Sequence, residues 1–385
     1  MTSVNVTHVG SLPRGPELTP LLLARDHGEP YDADEFDRVV QAAVDEAVKK
    51  QVEAGVTIVS DGELGKVGYS TYMIERLEGF GGHTDRVPAA DLAPLPELRK
   101  KLALIMGSQE FTRSSCISKV KLVNLQPLHD DIRRFKASLA KEGQKSNGEW
   151  VRAFMNSASP GLITAFQKNA FYPTHEAYLA DLADAMRPEY EAIVDAGFDL
   201  QLDCPDLAMS RHTGYQDMSE ADFIKVAEAN VEALNAATAN IPPEKMRMHI
   251  CWGNYEGPHD HDIPLERVID VVLKARPATI LFEAANPRHE HEWKVWRDAK
   301  IPEEKILAPG MIDTCSNYLE HPELIAQRIE RFADIVGLDR VIASTDCGFG
   351  TFAGYGKIDP AVTWKKLASL AEGARIAAAR AGVLV

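Results

Sequence analysis

The chain alternates short, continuous apolar runs with longer segments in which apolar residues recur every three or four positions. The longer period predicts amphipathic helices, and the short runs predict strands that are buried on both faces of a sheet. The clearest helix covers about 174–196, where EAYLADLADAMRPEYEAIVDAG ends in Ala-Gly. An Ala-Gly ending is typical of a helix that stops before a buried parallel strand.

Eight strands are predicted from the apolar runs, at 4–10, 57–61, 151–156, 199–203, 246–251, 279–283, 305–309 and 341–345. The helices predicted between them cover about 34–54, 174–196, 219–239, 264–275, 291–298, 321–336 and 360–381. This alternation of strands and helices predicts an α/β protein of the (β/α)₈ or TIM barrel type. We interpret the whole chain, 1–385, as a single barrel domain.

The alternation breaks once, between 64 and 149. This stretch contains GFGGHTDRVPAADLAPLPELRKKL and continues to a polar segment that ends in KEGQKSNGEW. We interpret 64–149 as a partly helical insertion after the second strand that lies over the mouth of the barrel. A small separate subdomain is the alternative interpretation.

The composition is that of a soluble globular protein, with 45% hydrophobic and 26% charged residues. No apolar run approaches the length of a membrane span, and the N-terminal residues show no secretion signal. The net charge of −15 argues against a nucleic-acid-binding protein. Five widely spaced cysteines favour free thiols over disulfides. We therefore expect a cytoplasmic protein without nucleic-acid or membrane partners, and self-association into a homo-oligomer stays open.

Candidate chemistry lies at the ends of the predicted strands, because the active sites of (β/α)₈ barrels form there. His249 and Cys251 end the fifth strand, Glu283 ends the sixth and Cys347 follows the eighth. Side chains alternate along a strand, so the His-X-Cys spacing places both residues on one face. Two thiolates, one imidazole and one carboxylate are a ligand set for Zn²⁺. The alternatives are a His and a Cys that are simply packed, and a competing metal cluster at 259–262.

A zinc ion with four protein ligands is usually structural. A substrate thiol could, however, displace the carboxylate of Glu283 and lose its proton to the metal. A thiolate held in this way remains a good nucleophile for attack on carbon. This exchange would turn a closed site into a catalytic one.

Polar residues at other strand ends predict a substrate pocket. His8, Ser11 and Arg14 could bind an anion or an amino acid, although a loop arginine such as Arg14 is as often a surface residue. Glu63 and Asp203 end the second and fourth strands. Each could bind an ammonium group, serve as a base or cap the following helix.

Six segments together resemble the catalytic barrel of cobalamin-independent methionine synthase: THVGSLPR, DGE, QLDCPDLA, HICWG, LFEAANPRHEHEW and ASTDCGFG. The resemblance runs almost from end to end, and it implies a uroporphyrinogen-decarboxylase-like barrel. It implies zinc ligands at four positions, namely His249, Cys251, Glu283 and Cys347. It also implies a homocysteine site at the positions that match the binding residues of the synthases, namely Gly10, Ser11, Glu63 and Asp203.

The chain departs from the synthases at two strand ends. Cys204 stands where they have a Glu, and Cys315 stands where they have a His thought to protonate the leaving folate nitrogen. An amine leaving group needs such a proton, so the departure at Cys315 leaves the methyl donor open. Segments such as HICWGNYEGPHDHDIP and SNYLEHPEL are closer to a single-barrel branch that includes the epoxyalkane:coenzyme M transferases. In that branch the thiolate of coenzyme M opens an epoxide.

These observations predict a zinc-dependent S-alkyltransferase that takes a small-molecule thiol and an alkyl donor. Glu283 and Asp203 are the predicted catalytic residues. Methyl transfer to homocysteine is the first hypothesis, and thiol addition to an epoxide or another electrophile is the second. A non-catalytic, zinc-stabilised barrel that binds a metabolite is the alternative of another class.

Overall fold

The computed structural model describes residues 4–84, 87–106, 112–142 and 152–382. Eight strands of these residues form one parallel sheet: Asn5–Val6 (β1), Ile58–Ser60 (β2), Arg152–Ala158 (β5), Asp199–Asp203 (β6), Met246–Ile250 (β7), Thr279–Phe282 (β8), Ile306–Ile312 (β9) and Ile342–Thr345 (β10). Two further strands, Leu77–Gly81 (β3) and Ser115–Leu122 (β4), pair as an antiparallel hairpin. The parallel sheet has the order β1-β10-β9-β8-β7-β6-β5-β2.

The sheet closes on itself where β1 meets β2. Thr57 N–H donates to the carbonyl of Val6 at 2.9 Å, and Val6 N–H donates to Oγ1 of Thr57 at 2.8 Å. One position further along, Oγ1 of Thr7 donates to the carbonyl of Ile58 at 3.0 Å. Because these bonds replace a regular ladder, the ring of strands has no open edge here. The (β/α)₈ barrel predicted from the alternation is confirmed.

Helices surround the barrel as an outer layer: Leu18–Asp26 (α1), Ala33–Glu53 (α2), Pro96–Met106 (α3), Gln126–Glu142 (α4), Pro160–Phe166 (α5), His175–Asp195 (α6), Ser210–Thr213 (α7), Glu220–Ala237 (α8), Leu265–Leu273 (α9), Trp293–Asp298 (α10), Pro322–Val336 (α11) and Pro360–Arg380 (α12). Side-chain caps fix several starts, as where Thr174 accepts from Ala177 N–H and Ser219 accepts from Asp222 N–H. In the described residues, no helix is long and apolar enough to cross a membrane.

The first strand is shorter than predicted. The run 4–10 was expected to be one strand, but the ladder covers only Asn5–Val6. Beyond it the chain turns, because Nδ1 of His8 accepts from Gly10 N–H at 3.1 Å and Gly10 has φ +139°. This turn sends the following residues across the barrel mouth instead of along the sheet.

The barrel interior holds a small apolar cluster that is separate from the core under the helices. Its buried members are Val9, Ile58, Phe154, Leu281, Ala308 and Ile342. Arg247 fills the remaining space, with its guanidinium 3.8 Å from the centroid of the Phe154 ring. It donates to Oγ1 of Thr7 at 3.0 Å and to the carbonyl of His8 at 2.9 Å. The interior is therefore packed below the site, and the open chemistry lies at the carboxyl ends of the strands.

The segment predicted as an insertion contains the β3–β4 hairpin, α3 and α4. Helix α4 packs along α2, where Nη2 of Arg134 lies 2.7 Å from Oδ1 of Asp37. A stretch near 90 instead reaches the loop after β7, since Asp91 accepts from Oη of Tyr255 at 2.8 Å and from His259 N–H at 3.0 Å. That the insertion covers the mouth stays a prediction, and its polar segment at 143–151 lies outside the described residues.

Candidate metal centre and substrate pocket

Three predicted zinc ligands meet at the barrel mouth. His249 lies near the end of β7, Cys251 follows the last residue of that strand, and Cys347 follows β10. All three side chains are buried, and one ligand atom from each lies within 4.8 Å of the others. Nε2 of His249 is 4.0 Å from Sγ of Cys347. Among the described residues, this is the one His, Cys, Asp or Glu group found close enough to share an ion.

His249 has the protonation state that a metal ligand needs. Burial lowers the pKa of His249 to about 4, so its imidazole is neutral at neutral pH. Nδ1 of the ring lies 3.9 Å from Oδ1 of Asp203. Metal-binding histidines commonly direct their second nitrogen at a carboxylate, which orients the ring. This approach is too long for a hydrogen bond, and the hydrogen-bond contact of the ring is instead that of Nε2, 3.2 Å from the carbonyl of Asp346.

Glu283 lies beside the cluster. Its Oε1 is 3.8 Å from Sγ of Cys347 and accepts from Trp252 N–H at 2.7 Å. Its Oε2 accepts from the amide of Asn286 at 2.7 Å. The Glu283 carboxylate thus has hydrogen bonds within the protein at the edge of the cluster. A carboxylate ligand that a substrate displaces needs such partners to remain on.

The donor set of the cluster fits Zn²⁺. The neighbouring Cys251 thiol and burial both raise the pKa of the Cys347 thiol. Two thiolates at this spacing therefore need a cation between them, and a zinc ion lowers the pKa of thiols that bind it. Two sulfur atoms, one neutral imidazole and one adjacent carboxylate match the ligands that zinc takes in proteins.

Asp346, which the sequence analysis did not single out, holds two of the site loops together. Its Oδ1 accepts from the N–H groups of Ala284 at 2.8 Å and Ala285 at 2.9 Å. Its Oδ2 accepts from Asn286 N–H at 2.9 Å. A side chain on Gly310 would place its Cβ 2.0 Å from Oδ1 of Asp346. Asp346 thereby fixes the chain after Glu283 against the residue that precedes Cys347.

Two carboxylates form an acidic pair at the mouth. Glu63 is buried with φ +55°, a conformation that L residues rarely adopt. Its Oε2 has no hydrogen-bond partner among the described residues. Burial and the charge of nearby Glu63 together raise the pKa of Asp203 to about 8. A buried, unpartnered carboxylate oxygen in strained backbone points to a bound cation or a shared proton.

Lys66 and Asn156 support this acidic pair, and the sequence analysis did not identify either. Nδ2 of Asn156 donates to Oδ2 of Asp203 at 3.2 Å. Nζ of Lys66 donates to the carbonyl of Asn156 at 2.6 Å, and its charge lowers the pKa of both carboxylates against the larger effect of burial. A Cβ on Gly10 would lie 2.2 Å from Oδ1 of Asn156, so only glycine fits there.

Ser11 lies next to the metal cluster. Its carbonyl accepts from Phe349 N–H at 2.8 Å, and a Cβ on Gly348 would lie 2.0 Å from its Oγ. The Ser11 hydroxyl therefore borders the chain that carries Cys347. The backbone at Gly10 lies against the side chain of Asn156, which in turn contacts Asp203 of the acidic pair.

His8 and Arg14 both make contacts within the protein, and their predicted contacts to an anion stay a prediction. Nε2 of His8 is 2.8 Å from Oε1 of Gln51, and its Nδ1 accepts from Gly10 N–H. Burial also lowers the pKa of His8 to about 4, so the ring is uncharged and both nitrogens are used. Arg14 donates to the carbonyls of Glu63, Lys66 and Gly350, which joins three site loops.

The competing metal cluster at 259–262 forms a hydrogen-bonded network instead. Nδ1 of His259 lies 3.0 Å from Oδ2 of Asp262, and Nε2 of His289 lies 2.9 Å from the same oxygen. His212 approaches the other oxygen at 3.3 Å. These contacts join the loop after β7 to its neighbours, and the His289 ring stacks on Trp252 at 4.2 Å. The network thus supports the residue that follows Cys251.

All five cysteines are unpaired, as the sequence predicts. Cys204 is buried, and Cys315 is partly exposed at the mouth. Sγ of Cys315 donates to Oδ1 of Asn254 at 3.2 Å.

Comparison with known proteins gives end-to-end similarity to one group. No protein-family model matches the chain. It is 23% identical over 380 residues to a methionine synthase of Saccharolobus solfataricus, covering 96% of this chain and 93% of the relative. It is 24% identical over 368 residues to an uncharacterised protein of Bacillus subtilis, covering 94% and 91%.

Solved structures agree in fold. A B12-independent methionine synthase of a Shewanella species, in complex with selenomethionine, superposes with a TM-score of 0.74 at 20% identity and covers 99% and 100% of the two chains. A putative B12-independent methionine synthase of Listeria monocytogenes gives 0.66 at 19% identity and covers 97% and 98%. Sequence similarity along nearly the whole chain and a shared barrel lead to one conclusion: the chain belongs to the superfamily of cobalamin-independent methionine synthase-like barrels.

Proposed function

We propose that this protein is a zinc-dependent methyltransferase that methylates the thiol of homocysteine. The observation that carries the proposal is the meeting of His249, Cys251 and Cys347 at the barrel mouth, with Glu283 at their edge. The end-to-end relatives named methionine synthase support the same reaction class. A purely structural metal site would not need the acidic pair, whose unpartnered oxygen on Glu63 calls for a ligand.

Each group of the site has a defined task in this proposal. Glu63 and Asp203 bind the ammonium of homocysteine, and the Gly10–Ser11 turn contacts its carboxylate. A zinc ion held by His249, Cys251 and Cys347 would promote loss of the thiol proton and keep the sulfur nucleophilic. Glu283 stays on its own hydrogen bonds to Trp252 and Asn286 when the thiol enters.

The reaction balances as a nucleophilic displacement. The sulfur electron pair forms the new S–C bond, the bond between carbon and the leaving group breaks, and its electron pair departs with that group. The thiol proton leaves to solvent.

Replacing Glu63 by Gln is expected to weaken homocysteine binding. A charge-assisted hydrogen bond contributes roughly 1.5–3 kcal/mol, so the KM for homocysteine should rise about tenfold or more. Zinc content should not change, because Glu63 does not contact the cluster. Steady-state kinetics at saturating methyl donor measure the effect, with the exposed Glu97→Gln of α3 as the control. An unchanged KM would remove Glu63 from the ammonium site.

One zinc ion per chain is expected in the purified protein, because the described residues contain one three-donor cluster with a carboxylate beside it. Metal analysis after dialysis measures it. A chelator that removes the zinc should abolish methyl transfer, and restored zinc should restore it. Full activity of a metal-free, folded protein would contradict zinc dependence.

A second candidate function is addition of a thiol to an epoxide. It is favoured by Cys315, which stands where the synthases have their proton-donating His and which is partly exposed at the mouth. A screen that pairs homocysteine, coenzyme M, glutathione and cysteine with methyl donors and epoxides separates the two. Turnover only with methyl donors supports methyl transfer, and turnover only with epoxides supports addition.

A further inference from the structure

Lys357 carries a positive charge that nothing in the proposed homocysteine site uses. Its Nζ is shielded from solvent and has no hydrogen-bond partner among the described residues. Among the described residues, neither Asp313 nor Glu283, whose charges also reach Cys315, forms an ion pair with this ammonium. A shielded ammonium without a paired anion is costly to a folded protein. An anion supplied by a ligand would remove that cost.

The position of Lys357 connects it to the metal cluster. Its ammonium lies beside the thiol of Cys315, whose pKa burial raises to about 12 while the Lys357 charge acts in the opposite direction. The Cys315 thiol and the hydroxyl of Thr314 donate to Oδ1 of Asn254 at 3.2 Å and 3.1 Å. The amide of the same Asn254 donates at 2.7 Å to the carbonyl of Gly348, the residue after Cys347. Asn254 therefore links Cys315, with Lys357 beside it, to the segment that carries Cys347.

The backbone holds Lys357 in this place. Nδ2 of Asn317 donates to the Lys357 carbonyl at 3.1 Å, and Oδ1 of Asn317 accepts from Asp359 N–H at 2.9 Å. This clamp fastens the segment before α12 to the loop after β9. The acidic pair of Glu63 and Asp203 has another cation near it, Lys66.

We propose that Lys357, Cys315 and Asn254 form a subsite for an anionic group of the second substrate, the alkyl donor. The assignment of that substrate rests on the proposed function. The ammonium of Lys357 binds the anion, and Asn254 holds the Cys315 thiol beside it. The donor class that fits is an alkylating molecule with a carboxylate, sulfonate or similar group close to its reactive carbon.

Alkylation of Cys315 tests the subsite without any turnover. The zinc-loaded full chain is treated with iodoacetate or with iodoacetamide, which differ in charge but form the same S–C bond and release iodide. Peptide mass spectrometry follows Cys315 separately from Cys251 and Cys347. The ratio of the two rates cancels any change in Cys315 reactivity, because both reagents attack the same sulfur. The ratio for glutathione supplies the reference value of a thiol that is free in solution.

The expected iodoacetate-to-iodoacetamide ratio at Cys315 is about tenfold above that of glutathione, which is the effect of one anion–cation contact. Lys357→Met should lower it to the glutathione value, and Lys357→Arg should keep it high. The exposed Lys365→Met of α12 is the matched control and should change nothing. An equal ratio in native protein and Lys357→Met, or no reaction of native Cys315 with either reagent, would overturn the subsite.

The same alkylation at saturating homocysteine shows which of the two substrates carries the anionic group. The high ratio should persist when homocysteine is present, because its carboxylate is expected at the Gly10–Ser11 turn. A fall to the glutathione value would overturn the assignment to the second substrate. The alkylation result and the Glu63→Gln kinetics are independent, so failure of one proposal leaves the other standing.

Discussion

Cys347→Ser is expected to abolish methyl transfer and to release zinc from a barrel that remains folded. The substitution removes one of the two sulfur donors and leaves His249 and Cys251 with a hydroxyl that binds zinc poorly. Loss of a residue that merely orients a zinc ligand costs up to about 100-fold in metal affinity, so loss of a ligand should cost more. Metal analysis, kinetics and thermal unfolding measure the three expectations together.

Cys116→Ser is the matched control for this change. Cys116 is as fully buried as Cys347, but it lies on β4, where Sγ donates to the carbonyl of Ser118. This variant should keep zinc and activity, and it measures the cost of placing a serine at a buried cysteine. Near-native turnover of Cys347→Ser would show that the metal site has been assigned to the wrong residue.

Asp346→Ala is expected to lower both stability and zinc affinity. The carboxylate accepts from three backbone N–H groups, at Ala284, Ala285 and Asn286, and all three would lose their partner. Buried donors left unpaired cost roughly 1–3 kcal/mol each, so a loss of about 3 kcal/mol or more is expected. Zinc affinity should fall because Glu283 and Cys347 lose their common anchor. Denaturant unfolding and zinc titration measure the two effects.

Gly310→Ala tests the same anchor from the other side. Its Cβ would lie 2.0 Å from Oδ1 of Asp346, so either the carboxylate or β9 must shift. We expect weaker zinc binding without the removal of any polar group. Gly15→Ala is the control, since a Cβ at Gly15 meets no atom within 4 Å. Native zinc affinity in both Asp346→Ala and Gly310→Ala would contradict the role of Asp346.

Strands and helices could be predicted where a short stretch of sequence contains the whole pattern that specifies them. The apolar run of β6 gives the strand Asp199–Asp203 with its predicted bounds. Helix α6 begins after Thr174 because this side chain caps it, and the period of its apolar residues carries it to Asp195. The His-X-Cys spacing likewise places His249 and Cys251 together, because strand alternation is local.

Features that depend on contacts between distant segments could not be predicted. Helices α1 and α5 are short, and the β3–β4 hairpin pairs residues about 40 positions apart. Asp346 acts through N–H groups that lie some 60 residues earlier. The contacts of His8 and Arg14 could not be predicted for the same reason: their partners, Gln51 and the carbonyl of Gly350, are brought to them only by the closed barrel.

The most direct test of the account is the zinc X-ray absorption spectrum with and without homocysteine. The free protein should show two sulfur scatterers together with nitrogen and oxygen, from Cys251, Cys347, His249 and Glu283. Addition of homocysteine should raise the sulfur count from two to three and remove the carboxylate oxygen. Glu63→Gln should require more homocysteine for the same change. A coordination shell that stays unchanged while homocysteine is bound would contradict thiol activation at this centre.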